Sequence, residues 1–135
     1  METEANKDIV RAYVEAFNRF DMVALCDLFT ADARIYGVLG YGGLDDVEPI
    51  WHELHDGMKI NLEILDIAAE GQNVVVRYRE TGRYSGFFRG LVGHDPTGKS
   101  YDVTAMEWFV IENGKITTRW GARDSAAILR QVVHH

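Results

Sequence analysis

The sequence predicts an α+β fold, with helices lying on one face of a curved antiparallel sheet. Three observations predict it. The first third has apolar residues at helical spacing. From Lys59 onward, long segments alternate apolar and polar residues, as strands do. The order is helices first and then a meander of strands, which means segregated layers rather than βαβ units.

Each element follows in order. Ile9, Val10, Tyr13, Val14 and Phe17 mark one apolar face of a first helix. Asp21 then reads as the N-cap of a short second helix, with Leu25, Leu28 and Phe29 facing inward. A strand over Ala33–Tyr36 precedes a mobile glycine-rich loop, Gly37-Val38-Leu39-Gly40-Tyr41-Gly42-Gly43. Asp45 and Glu48 have the spacing of a capping box and start a third helix, with Pro49 tolerated in its first turn. Lys59–Ala69 is a strand with Ile60, Leu62 and Ile64 on one face. Glu70-Gly71-Gln72-Asn73 turns into a strand over Val74–Tyr84. Ser85–Ser100, with four glycines and a proline, is a long loop or bulged hairpin. Tyr101–Ile111 is a strand, Asn113-Gly114 the clearest hairpin turn, Lys115–Ala122 its return, and Ser125–Val132 a closing helix.

Composition narrows the function. The chain has 135 residues, 47% of them hydrophobic, which suits one domain over 1–135 with its own core. Fourteen Lys and Arg stand against 21 Asp and Glu, for a net charge of −7. That sign argues against nucleic acid and against anionic membrane surfaces as partners. The single cysteine, Cys26, excludes an intrachain disulfide and suits a reducing compartment. The acidic start Met1-Glu2-Thr3-Glu4 is unlike a signal peptide, and no stretch approaches the ~18 apolar residues of a membrane span. The expectation is a cytoplasmic protein. His134-His135 is given no role.

Strand alternation places three acids on apolar faces. Glu80 shares a face with Val74, Val76, Tyr78, Gly82 and Tyr84. Glu107 shares one with Tyr101, Val103, Ala105, Phe109 and Ile111. Asp124 ends the face of Ile116, Thr118, Trp120 and Ala122. A carboxylate among apolar neighbours must be paired or shifted in pKa, and shifted carboxyls carry acid–base chemistry near neutral pH. Such a sheet, closed by helices, describes a small-molecule pocket. Structural roles stand beside this. Asp124 precedes Ser125-Ala126-Ala127 and is placed to cap the last helix. Glu80 has Arg119 and Arg123 as partners at a rim. Met106, Trp108 and Val110 make the other face of Glu107's strand apolar too, which implies a second layer, a second copy of the chain.

Other clusters carry less. In Trp51-His52-Glu53-Leu54-His55-Asp56 the histidines are three apart and no third ligand follows, so zinc is not predicted. Cys26 lacks a His/Asn arrangement and reads as an inert core thiol. Gly86-Phe87-Phe88-Arg89-Gly90 and Gly93-His94-Asp95-Pro96-Thr97-Gly98-Lys99 lack the strand-to-helix context of a phosphate loop. Tyr13, Tyr36, Tyr41 and Tyr84 are candidate hydrogen-bond donors into the pocket.

The chain also resembles a known family. Val10-Arg11-Ala12-Tyr13-Val14-Glu15-Ala16-Phe17-Asn18 looks like its first helix, and Asp27-Leu28-Phe29-Thr30-Ala31-Asp32-Ala33 is similar to its D-L-F-A-x-D-A pattern. Thr81-Gly82-Arg83-Tyr84-Ser85-Gly86-Phe87-Phe88 is similar to its T-G-T-H-x-G-x-F segment. Pro96-Thr97-Gly98-Lys99, Glu112-Asn113-Gly114-Lys115-Ile116 and Trp120-Gly121-Ala122-Arg123-Asp124 match as well. Together, over roughly residues 5–132, these resemble SnoaL-like polyketide cyclases of the nuclear-transport-factor-2-like and ketosteroid-isomerase-like superfamily. The resemblance implies a cone-shaped sheet, a homodimer, no cofactor and no metal. It implies an intramolecular aldol cyclisation with an aspartate near the end of the last strand as acid/base, here Asp124. Tyr84 stands at the histidine of T-G-T-H, and Glu107 at a second polar pocket position. The base aspartate of ketosteroid isomerases has Gly37 in its place, which argues against that mechanism. The Asp-Arg-Asp set of limonene-epoxide hydrolases has an approximate counterpart in Asp124, an arginine and Glu107 or Glu80.

The expectation is therefore an acid/base enzyme on a small hydrophobic molecule. Asp124 shuttles the proton, Glu107 assists or tunes it, and Tyr13, Trp51, Tyr84, Glu80 and Trp120 line the substrate. The competing class is a non-catalytic ligand-binding or dimerisation module. Convergence of Glu107 and Asp124 on one cavity discriminates between them.

Overall fold

The structure, a computed structural model, describes residues 2–37 and 39–133. Val38 in the glycine-rich loop and the His134-His135 pair lie outside the described residues. The elements are α1 (Glu2–Asn18), α2 (Met22–Asp27), β1 (Phe29–Gly37), β2 (Gly40–Gly42), α3 (Leu44–Met58), β3 (Asn61–Glu70), β4 (Asn73–Arg83), a single 3₁₀ turn (Arg89–Leu91), β5 (Ser100–Glu112), β6 (Lys115–Arg123) and α4 (Ser125–Val132). The strands form one six-stranded sheet in the order β2-β1-β6-β5-β4-β3. All neighbours are antiparallel except β1 and β6, which run parallel. Helices α1 and α3 pack on the sheet and α4 packs on β5, as the α+β pattern predicts.

Local chemistry sets the element ends. Asp21 accepts a hydrogen bond from the Ala24 amide at 3.0 Å and caps α2. That helix ends at Asp27, so Phe29 opens β1 instead of extending the helix. The cap of α3 is also displaced from the expected Asp45: Gly43 is the N-cap, and its amide donates to Asp46 Oδ2 at 3.0 Å. Pro49 therefore falls in the second turn, where its missing N–H leaves the Asp45 carbonyl without its i+4 donor. Asp45 is exposed, so water can serve that carbonyl. Asn113 and Gly114 have φ of 51° and 78°, the paired left-handed values that a two-residue hairpin turn needs.

The core lies between the helices and the inner face of the sheet. Val10, Tyr13 and Phe17 of α1 and Trp51 and Met58 of α3 are buried against Val74, Val76, Tyr78, Phe109 and Ile111 of the sheet. Tyr13 packs edge-on against Phe109, with ring centroids 5.1 Å apart. The end of α1 is pinned to β3 by reciprocal bonds: Asn18 Nδ2 donates to the Leu62 carbonyl at 2.8 Å, and the Leu62 amide donates to Asn18 Oδ1 at 2.9 Å.

Two bulges change which residues face the core. In β3, Ile64 pairs with Tyr78 but Asp66 pairs with Arg77, so Leu65 is extra and Ile67 and Ala69 take over the inner face. In β6, Ile116 pairs with Ile111 but Thr118 pairs with Val110, so Thr117 is extra. One inserted residue reverses the alternation beyond it.

Candidate active site

The bulge at Thr117 decides the site. Without it, Thr118, Trp120, Ala122 and Asp124 would follow Ile116 inward. With it, Arg119, Gly121 and Arg123 turn inward and Trp120 and Ala122 turn out. Arg119 is buried, whereas Trp120 is 45% exposed.

Glu107 on β5 stands opposite Gly121 on β6, and Arg119 stands one diagonal step away, opposite Phe109. The carboxylate has three donors. Arg119 Nη1 reaches Oε2 at 2.5 Å, Tyr13 Oη donates to the same oxygen at 3.4 Å, and Tyr78 Oη donates to Oε1 at 2.8 Å. Arg119 Nη1 also donates to Tyr13 Oη at 3.2 Å. Burial, with Glu107 beside them, pushes the phenols of Tyr13 and Tyr78 upward, so both stay protonated donors. Burial works against the charge of Arg119, but Glu107 and the tyrosines outweigh it and hold the guanidinium firmly cationic.

A second pair lies next to the first. Glu80, 2% exposed, is ion-paired with Arg123 and accepts from Tyr101 Oη at 2.8 Å. Burial pushes its carboxyl upward, opposed by Arg123 and Tyr101. Arg123 also lies over the Phe88 ring, 5.7 Å from its centroid. Small residues make room for these large ones. Gly82 stands opposite Tyr101 and Ala105 opposite Arg123.

These groups end an otherwise apolar cavity of about 100 Å³. Phe17, Leu39, Val47, Ile50, Trp51 and Leu54 supply apolar walls, and Tyr13, Tyr78, Glu80, Glu107, Arg119 and Arg123 the polar end. Among the described residues, no group of three or more His, Cys, Asp or Glu is placed to hold a metal ion.

Of the residues chosen from sequence, Tyr13, Trp51, Glu80 and Glu107 line this cavity. Three do not. Asp124 is exposed and accepts from the Ala127 amide at 3.0 Å as the N-cap of α4, so Glu107 and Asp124 do not converge, and the expected pair of acids gives the enzyme reading no support. Trp120 lies on the outer face, stacked on Tyr36 at 5.7 Å. Tyr84 is buried, but its hydroxyl donates to the His94 carbonyl at 2.9 Å and holds the 85–99 loop instead. The bulge accounts for the first two. Sequence reasoning treated Arg119 and Arg123 only as partners for Glu80 and missed Tyr78 as a donor. The signal for Tyr78 was available, because it lies on the same strand face as Glu80.

The first helix, the bulged last strand and a curved sheet closed over a cavity define a cone-shaped α+β domain. The chain matches the model of the SnoaL-like domain over residues 10–119, and it belongs to that family. Solved structures share the fold. One is a proposed polyketide cyclase from Xanthomonas campestris pv. campestris (24% identity, TM-score 0.87, 97% of this chain and 98% of that one). Another is a proposed SnoaL-like polyketide cyclase from Jannaschia sp. CCS1 (20%, TM-score 0.87, 98% and 94%). A third is IdmH, a proposed polyketide cyclase from Streptomyces antibioticus (23%, TM-score 0.81, 93% and 96%). No curated protein matches the sequence. No helix among the described residues is long and apolar enough to cross a membrane.

Proposed function

We propose that this SnoaL-like protein is a general acid–base enzyme acting on a small apolar carbonyl compound, with Glu107 as the proton-transferring carboxylate. The observation that carries the reading is Glu107 itself, a carboxylate held by Arg119, Tyr13 and Tyr78 at the end of an apolar cavity. A carboxylate oxygen offers about two lone-pair sites. Oε1 accepts only from Tyr78 among the described residues, so one site remains for a substrate proton. Glu107 takes a proton from the carbon next to a carbonyl, and the resulting enolate attacks a second carbonyl in an aldol ring closure or reprotonates in an isomerisation. Positioned acid–base groups contribute roughly 10²–10⁴-fold in rate.

The test is deuterium wash-in at the α-carbon of cyclopentanone in heavy water, followed by proton NMR. The wild-type protein should accelerate exchange well above buffer, and Glu107→Gln should return it to the buffer rate. A folded Glu107→Gln variant exchanging at the wild-type rate overturns the assignment.

We also infer that the outer face of the sheet pairs with a second copy of the chain. Met106, Trp108 and Trp120 are 52%, 49% and 45% exposed there. They border a groove of about 560 Å³ with Ala68, Val75 and Ala122. An exposed apolar patch of this kind marks an interaction surface.

A further inference from the structure

The arginines of this protein divide by how they use the Nε–Nη2 edge of the guanidinium. At the surface, three direct both atoms of that edge to one carboxylate. Arg77 bonds Asp66 at 2.8 and 2.5 Å, Arg79 bonds Asp102 Oδ2 at 3.0 and 2.6 Å, and Arg89 bonds Glu53 Oε2 at 3.0 and 2.5 Å. The two cavity arginines do not. Nε of Arg119 and Nε of Arg123 are both buried without a hydrogen-bond partner. Arg123 spends Nη2 on Glu80, so its edge is half filled. Arg119 makes both of its bonds through Nη1, to Glu107 and Tyr13. Its whole Nε–Nη2 edge is unpaired among the described residues.

The Nη2 end of that edge faces the cavity, with Nε buried just behind it. Arg119 Nη2 lies 3.6 Å from where a Cβ would stand at Gly37 and 3.5 Å from where one would stand at Gly121. Both glycines line the cavity. A buried donor left unmade carries its full desolvation penalty, so an empty cationic fork beside a cavity calls for an acceptor. The planar fork matches the two oxygens of a carboxylate, with bonds of about 2.7–2.9 Å.

We propose that the Nε–Nη2 edge of Arg119 receives a carboxylate carried by a small apolar ligand. This rests on the inner cavity being the ligand site, as proposed above. The cavity sets the size of the ligand. It is about 100 Å³, below the ~150 Å³ of an engineered cavity that takes benzene. The body is therefore a short branched chain or one small ring. Glu107 takes Nη1 of the same guanidinium, which leaves the Nε–Nη2 edge for the ligand's carboxylate.

The test is an NMR titration with isobutyrate, with isobutyramide as its neutral counterpart of equal size. Wild-type protein should bind isobutyrate at least about tenfold more tightly, the scale of one charge-assisted hydrogen bond. Arg119→Lys keeps the charge and loses the fork, and should bring isobutyrate to the level of the amide. Gly121→Ala is the second variant, because its methyl makes only ordinary contacts of 3.4–3.6 Å with Glu107 and Arg119. It fills the opening without removing a charge and should have the same effect, so the test survives if Arg119→Lys fails to fold. Equal affinity of wild type for the two probes, or undiminished isobutyrate binding in folded variants, overturns the proposal. If cyclopentanone binds while isobutyrate shows no preference, the carboxylate site alone falls. If none of the three probes binds, the cavity reading falls with it.

Discussion

Glu107 and Gly121 face each other across the β5–β6 ladder, and this pairing admits a charged group to the inner face of the sheet. A Cβ at residue 121 would already stand 3.4 Å from Glu107 Oε2. The carboxylate therefore lies within ordinary contact distance of a position that carries no side chain, and Arg119 reaches it from the diagonal position. Removing one member of a buried pair leaves the other uncompensated, at a cost of about 3–5 kcal/mol. Glu107→Leu should be destabilised by about that much in urea unfolding. The double variant Glu107→Leu with Arg119→Met should be less destabilised than the sum of its single variants. Additive losses would show that the two side chains do not act as a pair.

Asp124 calls for the opposite experiment. Its side chain caps α4 through the Ala127 amide and does not line the cavity. Asp124→Ala should cost about 1 kcal/mol of stability, the usual loss for such a cap. Cyclopentanone exchange should be unchanged. A loss of exchange with stability intact would return Asp124 to the reaction.

The contrast between these two acids shows how much was legible in the sequence. The α+β order, the hairpin at Asn113-Gly114 and the inward placement of Glu80 and Glu107 all follow from periodicity, because β4 and β5 alternate without interruption through those residues. Asp124 and Trp120 were misplaced because alternation is a phase, and Thr117 shifts that phase by one. Nothing in Lys115-Ile116-Thr117-Thr118-Arg119 marks a bulge: there is no glycine, and two adjacent threonines suit either register. The two arginines in the cavity were hidden for the same reason, since unbroken alternation puts Arg119 and Arg123 on the solvent side. Tyr84 was misjudged differently. Its inward face was legible, but its hydroxyl partner lies in a loop whose path depends on tertiary packing.

The outer face supports a prediction about assembly. Trp108 lies beside Trp120 across the β5–β6 ladder, and both are half-exposed. Wild-type protein should sediment as a dimer. Trp108→Glu places a charge in the middle of the patch and should sediment as a folded monomer with an unchanged far-UV spectrum. A monomeric wild type, or a dimeric Trp108→Glu, would place the contact elsewhere or remove it.

His55 gives a pH signature that is separate from the cavity carboxylates. Its ring is packed on Phe17 and Phe20, with centroids 4.7 and 4.5 Å away, and its Nε2 is buried without a partner. Burial pushes its pKa down, aided by His52 and opposed by Asp56. In the unfolded chain the imidazole takes a proton near pH 6.5, so at and below that value the unfolded state binds more protons. Stability should therefore fall as pH drops from about 6.5 toward the lower folded value. Glu53 and Asp102, held down chiefly by hydrogen bonds from Arg89 and Arg79, lose their contributions only in the more acidic carboxylate range. His55→Gln removes the first decline and leaves the second. Urea unfolding at a series of pH values should show wild type losing stability relative to His55→Gln between about pH 7 and pH 5.5. Parallel curves over that interval would mean that the folded protein accepts the proton at His55 without penalty.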